Sequence, residues 1–290
     1  MLPVVILAGG LATRLRPIGD LSRNTNWSEA IAGVDVIIHL AARAHILNEA
    51  TNNPLVEFRN MNTYVTENLA NQAAAVGVKR FIFISTIGVN GVSTVAGVRF
   101  SELDEAHPHN FYAQSKWEAE QKLRKIALNS SMEVVIIRPP LVYGGDAAGN
   151  FGVLLKILYR NWPLPLGSIK NCRSFISLSN FTDFIVQTIG HHAAANQTFL
   201  VSDGDDISTT ELLKLLASGM GKSARLFTVP NCILEFGSYI LGKPGIYKQL
   251  CCSLQVDISK ARILMDWAPK ISANDGLVQA AIDFMINKRR

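Results

Sequence analysis

Cysteine is scarce: the four in the chain, Cys172, Cys232, Cys251 and Cys252, show no metal-ligand spacing, and the adjacent Cys251-Cys252 are poorly placed to bridge each other. The expectation is a reduced, cytoplasmic chain without a disulfide framework. Long apolar runs are also missing. Val36–Leu40 and Val134–Ile137 are strand-length, far short of the ~20 residues that cross a bilayer, and no signal peptide is expected. Charge of one sign runs together only in Lys288-Arg289-Arg290, at the chain end. The net charge of +5 is otherwise scattered, which argues against a nucleic-acid partner and fits a small anionic substrate. There is no internal repeat and no low-complexity segment. What remains is 290 residues, 48% hydrophobic and 18% charged. That is an ordinary globular composition, with length for one large domain or two small ones.

A further absence lies at the start. Pro3 to Gly10 reads as a buried strand running into a glycine turn. A dinucleotide-binding domain would continue with Gly-x-x-Gly-x-x-Gly, which lets a pyrophosphate approach bare backbone at a helix N-terminus. The chain reads instead Leu7-Ala8-Gly9-Gly10-Leu11-Ala12-Thr13-Arg14-Leu15-Arg16-Pro17. This stretch resembles the opening signature of the sugar-1-phosphate nucleotidyltransferases, whose glycine loop and arginine embrace a nucleoside triphosphate. Nothing later in the chain continues that resemblance, and either loop suits phosphate.

Further along, strand and helix patterns alternate. Ser28 to Gly33 forms a short helical segment, and Val34 to Ala42 is a continuous apolar strand ending in small residues. A helix from about Pro54 to Val76 is closed by Gly77. Phe81–Ile84 is a strand ending in Ser85-Thr86, and a polar loop leads to a helix running through Tyr112 to about Leu128. In that loop His107-x-His109 lacks a third ligand at useful spacing, so no metal is expected. Glu133 to Gly144 is another buried strand, ended by prolines. The alternation predicts an α/β fold, a Rossmann-like parallel sheet with helices on both faces. After Gly144 come smaller mixed elements: a helix at Phe151–Arg160, a strand at Arg173–Ile176, a helix near Asn180–Gly190, a strand at Thr198–Val201, and a capping box at Ser208-Thr-Thr-Glu211. The expected division is residues 1–145 for a cofactor-binding domain and 146–290 for a mainly substrate-binding lobe, partly interleaved with the first.

Tyr112-Ala113-Gln114-Ser115-Lys116 puts a phenol and an ammonium four residues apart on one helix face. An ammonium there favours the phenolate and lets the tyrosine exchange a proton near neutral pH. Ser85-Thr86 and Arg138-Pro-Pro stand at the ends of the flanking strands. In a parallel sheet those ends share the edge where ligands bind. Ser85-Thr86 could equally satisfy backbone groups in the turn.

The combination of Val36-Ile-Ile-His-Leu-Ala-Ala42, Asn62-x-x-x-Thr66-x-Asn68-Leu69, Phe83-Ile-Ser-Thr86, Tyr112-x-x-x-Lys116 and Arg138-Pro-Pro-Leu-Val-Tyr-Gly144 resembles the extended short-chain dehydrogenase/reductases that act on nucleotide sugars. Asn196 to Gly204 and Ser253 to Lys260 look closest to a bacterial subgroup of UDP-glucose 4-epimerases and UDP-N-acetylquinovosamine 4-reductases serving O-antigen synthesis. The resemblance implies NAD or NADP as cofactor, a UDP-sugar as substrate, and a homodimer as a candidate assembly. It implies Tyr112 as the acid or base, Thr86 as the group orienting the sugar hydroxyl, and Lys116 as the group that lowers the phenol pKa and holds the cofactor ribose. Asp20 would meet the adenine. Leu40, Ala41, Ala42, Ser85 and Pro140 would line the cofactor, with Asn62 in support. Asn150, Arg173 and Lys248 would hold the UDP diphosphate; for Asn150 a helix N-cap is the competing role.

The departures are local. Only Leu11 to Gly19 separate the first glycine turn from Asp20, where the family carries further βα units. Val65 stands where glycine is usual, Gly145 where proline is usual, and Lys248 is the available basic residue before Ser253-Leu-Gln-Val-Asp. The expectation is a fused or truncated N-terminus with intact catalytic residues. Two further readings stay open: an inactive remnant that still binds UDP-sugar, and a nucleotidyltransferase resting on Gly9–Arg14 alone.

Overall fold

A computed structural model describes residues 4–7, 21–44, 53–95, 97–146 and 149–288. The Gly9–Arg16 loop and Asp20 lie outside the described residues. In chain order the elements are β1 (Val4–Leu7), α1 (Ser28–Ile31), β2 (Val36–His39), α2 (Pro54–Phe58), a π-helical turn (Arg59–Tyr64), α3 (Val65–Ala75), β3 (Arg80–Ile84), a 3₁₀ turn (Ile87–Val89) and α4 (Phe111–Leu128). There follow β4 (Glu133–Arg138), β5 (Leu141–Tyr143), α5 (Gly149–Tyr159), β6 (Arg173–Ser177), α6 (Leu178–Gly190), β7 (Thr198–Leu200) and β8 (Asp206–Ile207). The chain closes with α7 (Thr209–Gly219), α8 (Asn231–Ile240), α9 (Pro244–Cys251), α10 (Ser259–Met265) and α11 (Ala273–Asn287).

The main sheet has the order β1-β2-β3-β4-β7, and every pairing in it is parallel. Successive residues of a strand point to opposite faces, and both faces here are apolar. Ile37, Phe81, Phe83, Val134 and Ile136 meet Trp27 and Ile31 beside α1, Leu69 and Ala73 of α3, and Leu123 of α4. Val36, Ile38, Ile82, Val135 and Ile137 meet Phe184 and Ile185 of α6 and Met265 of α10. Continuous β-branched and aromatic runs are what a sheet covered on both sides requires. Gly77 closes α3 in the left-handed region, at φ 83°.

Glu133 to Gly144 was expected as one strand and is two. Pro139 and Pro140 carry no N–H and cannot continue the ladder. The chain leaves the main sheet there, and β5 pairs with β6 in a second, three-stranded sheet, β5-β6-β8. Around that sheet a lobe core gathers Phe151 and Leu155 of α5, Phe175 of β6, Leu213 and Leu216 of α7, and Leu277 of α11. Gly219 lets α7 and α11 touch: a Cβ there would stand 2.4 Å from the Val278 carbonyl oxygen. The Tyr143 hydroxyl donates to Asp203 (2.7 Å), whose carboxylate also accepts from the Ser177 amide and Asn180 Nδ2. This bond joins the end of β5 to the segment after β7 within the core.

Candidate active site

The register of the main sheet aligns His39, Phe83 and Ile136 across β2, β3 and β4. Leu40-Ala41-Ala42, Ser85-Thr86 and Pro139-Pro140 therefore leave the sheet at the same C-terminal edge. Ala41 and Pro140 are buried, Ala42 is partly so, and Leu40 is 38% exposed. Small side chains at the end of β2 leave room for a flat ligand against the backbone.

Helix α4 enters this edge under local control. Asn110 is its N-cap, accepting the Ala113 amide at 2.8 Å. Tyr112 and Lys116 then fall one turn apart on the face toward β3. The Tyr112 ring meets Phe58 edge-on, with centroids 6.3 Å apart. Lys116 is fully buried, its Nζ 4.0 Å from the centre of the Phe83 ring.

Burial dominates the proton equilibria here. It raises the Tyr112 phenol to about 12. It lowers Lys116 to about 7, with Glu120 one turn further opposing that shift. Burial thus moves the phenol in the direction opposite to the depression expected from the lysine, whose ammonium rests on Phe83.

His39 ends β2 fully buried, its ring stacked on Phe83. Thr66 donates its single hydroxyl proton to the Asn62 carbonyl at 2.7 Å. His39 Nε2, 2.9 Å from Thr66 Oγ1, must then be the donor in that contact. Nδ1 is left as a buried lone pair with no hydrogen-bond partner among the described residues. Burial, then Lys116, holds the imidazole at about 3, so it is neutral.

Asn62 sits in the π-helical turn, a feature enriched at functional sites. Its side chain accepts from the Arg43 amide (2.7 Å), donates to the Arg43 carbonyl (3.1 Å) and donates to Ser115 Oγ (3.0 Å). It therefore ties the loop after β2 to α4.

The two hydroxyls after β3 diverge. Thr86 Oγ1 accepts the Gly88 amide at 3.1 Å and keeps its proton for another acceptor. Ser85, expected to line a cofactor, is buried and donates to Glu120 Oε1 at 2.6 Å. The reason is a buried ion pair that spacing did not reveal. Arg138 at the end of β4 donates through Nε (2.9 Å) and Nη2 (2.6 Å) to Glu120, and through Nη1 to Asn90 Oδ1 (2.9 Å). The only sequence signal was a glutamate four residues beyond Lys116, on the buried face of α4. His109, set aside as a loop residue, has its ring against this turn, with Nδ1 3.3 Å from the Gly88 carbonyl.

The residues expected to hold a diphosphate gather around α9. Arg173 Nη1 donates to the Cys252 carbonyl (2.8 Å) and reaches the Lys248 carbonyl (3.5 Å). Burial lowers its guanidinium to about 10. Asn150 does not cap α5. It lies inside the first turn and donates to Gln249 Oε1 at 2.8 Å. Lys248 itself is exposed.

The small residues after β2, a phenol and an ammonium on one helix face, and Asn62 in support are groups that fit a nicotinamide and its ribose. The glycine turn that would cradle the pyrophosphate lies outside the described residues.

A sequence profile of the NAD dependent epimerase/dehydratase family matches residues 12–201. The chain is 42% identical over 269 residues to a UDP-glucose 4-epimerase of Vibrio cholerae, covering 92% of this chain and 82% of that one. It is 27% identical over 260 residues to an N-acetyl-α-D-glucosaminyl-diphospho-ditrans,octacis-undecaprenol 4-epimerase of Escherichia coli O157:H7, covering 84% and 76%. The fold is similar to that of UDP-glucuronic acid 4-epimerase from Bacillus cereus in complex with NAD, with a TM-score of 0.74, 22% identity, and coverage of 94% and 80%.

Proposed function

Because the chain belongs to the NAD dependent epimerase/dehydratase family, we propose that it is an NAD(P)-dependent enzyme working at C4 of a UDP-sugar, as a 4-epimerase or a 4-keto reductase. What supports this reading is that Thr86 follows β3 at the edge where β2, β3 and β4 end together, and that α4, which carries Tyr112 and Lys116 one turn apart, packs on the 3₁₀ turn after Thr86. Bound NAD(P) supplies the hydride acceptor or donor. The chain supplies the proton chemistry. When a C4 hydroxyl is oxidised, the C4 hydride leaves to the cofactor and the hydroxyl proton goes to Tyr112 Oη in its phenolate form; when a 4-keto sugar is reduced, the hydride arrives at C4 and the Tyr112 phenol gives its proton to the C4 oxygen, leaving the phenolate. A phenol near 12 is protonated at neutral pH, which is the state that the reduction consumes. Thr86, with its acceptor side used by Gly88, donates to the sugar oxygen and fixes its direction. Lys116 holds positive charge beside the phenol whenever it is protonated and anchors the cofactor ribose.

In this reading Asp20, Leu40, Ala41, Ala42, Asn62 and Pro140 complete the cofactor site. Asn150, Arg173 and Lys248 take the diphosphate, with Arg173 held in place by backbone carbonyls of α9 and the segment after it. Ser85 acts as a brace for Glu120. Residues 1–145 bind cofactor and 146–290 mainly bind substrate. The setting is cytoplasmic polysaccharide or O-antigen synthesis, with the protein as a homodimer. A second reading keeps the same chemistry but replaces uridine by a lipid. The Escherichia coli relative is named as a 4-epimerase of a sugar diphosphate on undecaprenol, and α9 of the apolar hairpin α8–α9 stands beside Arg173.

Turnover of UDP-glucose and UDP-N-acetyl sugars, with Tyr112→Phe as control, tests the proposal. The variant should lose turnover and keep UDP affinity; retained turnover refutes the role of Tyr112. A calorimetric NAD titration separates the inactive alternative, which predicts no binding at millimolar cofactor.

A further inference from the structure

Helices α8 and α9 pack on each other and stand out from the lobe. Their inner side is used: Leu234 of α8 and Leu250 and Cys251 of α9 pack against the lobe core. Their outer side is not. Ile233, Phe236 and Ile240 follow the i, i+3, i+7 spacing of one helix face, and they are 58%, 68% and 69% exposed. Leu241 at the tip is 74% exposed, and Ile246 on α9 adds to the patch at 51%. Isolated exposed apolar residues are ordinary; a contiguous group on one small hairpin marks an interaction surface.

The charges around the patch choose among occupants. From Asn231 to Cys251 the cations are Lys243, in the turn between the helices, and Lys248; the only acid is Glu235. Tyr239 and Tyr247 add amphipathic rings. A second copy of the chain would set these lysines against their own images. An anionic lipid surface would neutralise them while accepting the apolar side chains, the pattern of helices that lie in the membrane interface. Among the described residues no helix is long and apolar enough to cross a membrane, so the contact would be peripheral.

We propose that the α8–α9 hairpin docks on an anionic phospholipid bilayer. Its position gives the contact a purpose, a point that rests on the reading of Arg173 and Lys248 as diphosphate-binding residues. The hairpin shares α9 with those residues, so a protein seated this way holds them near the lipid surface, where a lipid-linked sugar diphosphate is presented.

Co-sedimentation of the full chain with phosphatidylglycerol vesicles, against phosphatidylcholine vesicles, tests the proposal. The protein should bind the anionic vesicles, and added salt should weaken binding. Phe236→Ser with Ile240→Ser should lower the partition coefficient roughly a hundredfold, and Lys243→Gln about fivefold. Both variants should keep the far-ultraviolet circular dichroism melt and UDP-sugar turnover, because the altered side chains are exposed and outside the proposed site. No binding to phosphatidylglycerol, or binding unchanged in the double variant, overturns the proposal. So does a dimer by light scattering that the double variant abolishes, since a second copy would then cover the patch. Vesicle binding without turnover would remove the proposed activity and leave the lipid surface standing; turnover without vesicle binding would do the reverse.

Discussion

Removing the carboxylate of Glu120 should cost far more stability than a surface ion pair would. Glu120 is fully buried, and Arg138 opposite it is 6% exposed. Three donors converge on the carboxylate: Ser85 Oγ, Arg138 Nε and Arg138 Nη2, all within 2.9 Å. In Glu120→Ala the guanidinium keeps only Asn90 Oδ1 among these partners and stays out of water. Breaking one side of such a pair costs about 3–5 kcal/mol, and the orphaned Ser85 hydroxyl belongs to the same loss. In a chain of this size that lowers Tm by about 10 °C. The decisive comparison is Glu120→Leu with Arg138→Met, which removes both charges at similar volume. The double variant should lose no more than ~2 kcal/mol, the residue being the unpaired Ser85 and Asn90 groups. Urea denaturation of the wild type and the two variants reads the comparison. A loss under ~1 kcal/mol for Glu120→Ala, or a double variant as unstable as the single one, would refute the buried-charge reasoning.

Lys116→Met should stabilise the fold, more at pH 6 than at pH 10. A lysine held at about 7 in the fold and near 10.5 when unfolded releases its proton on folding between those values. The wild-type protein therefore gains stability as pH rises through that window, and a pH-independent difference between the two proteins in thermal melts would contradict it. His39 should show no imidazole titration between pH 5 and pH 9 by NMR. Its folded value near 3 makes it lose stability as pH falls below 6.5, and a titrating His39 signal above pH 5 would count against that. Gly219→Ala should cost about 1–3 kcal/mol through overpacking against the Val278 carbonyl. The same change at Gly190, where an added Cβ meets nothing within 4 Å, is the matched control in a denaturant series.

Much of this site could be read locally. Strands such as Phe81–Ile84 declare themselves as apolar runs, and their common C-terminal edge follows from a parallel sheet. Tyr112 and Lys116 share a face by helical spacing alone. What stayed hidden depends on contacts distant in sequence. Glu120 looks like a solvated helix charge until Arg138, from the next strand, is brought beside it. The direction of the Tyr112 shift depends on how completely Phe58 and the sheet exclude water, which no spacing records. The prolines after Arg138 were visible, but not that the chain would carry on into another sheet. The α8–α9 hairpin drew no expectation, because its apolar residues follow helical spacing without a core to face.

An α-helix advances by about 100° per residue, and the π-helical turn at Arg59–Tyr64 accommodates one more residue in its loop than the α-helical turns around it. The helix segments on its two sides are therefore out of phase, and each keeps its own partner: Phe58 against the Tyr112 ring, Leu69 and Ala73 in the core under the sheet. Deleting one residue from the turn would restore a regular helix and leave the core half in place. It would also rotate Pro54–Phe58 by about 100° and swing Phe58 off the tyrosine. A more regular backbone would then leave the phenol wetter and its proton easier to lose.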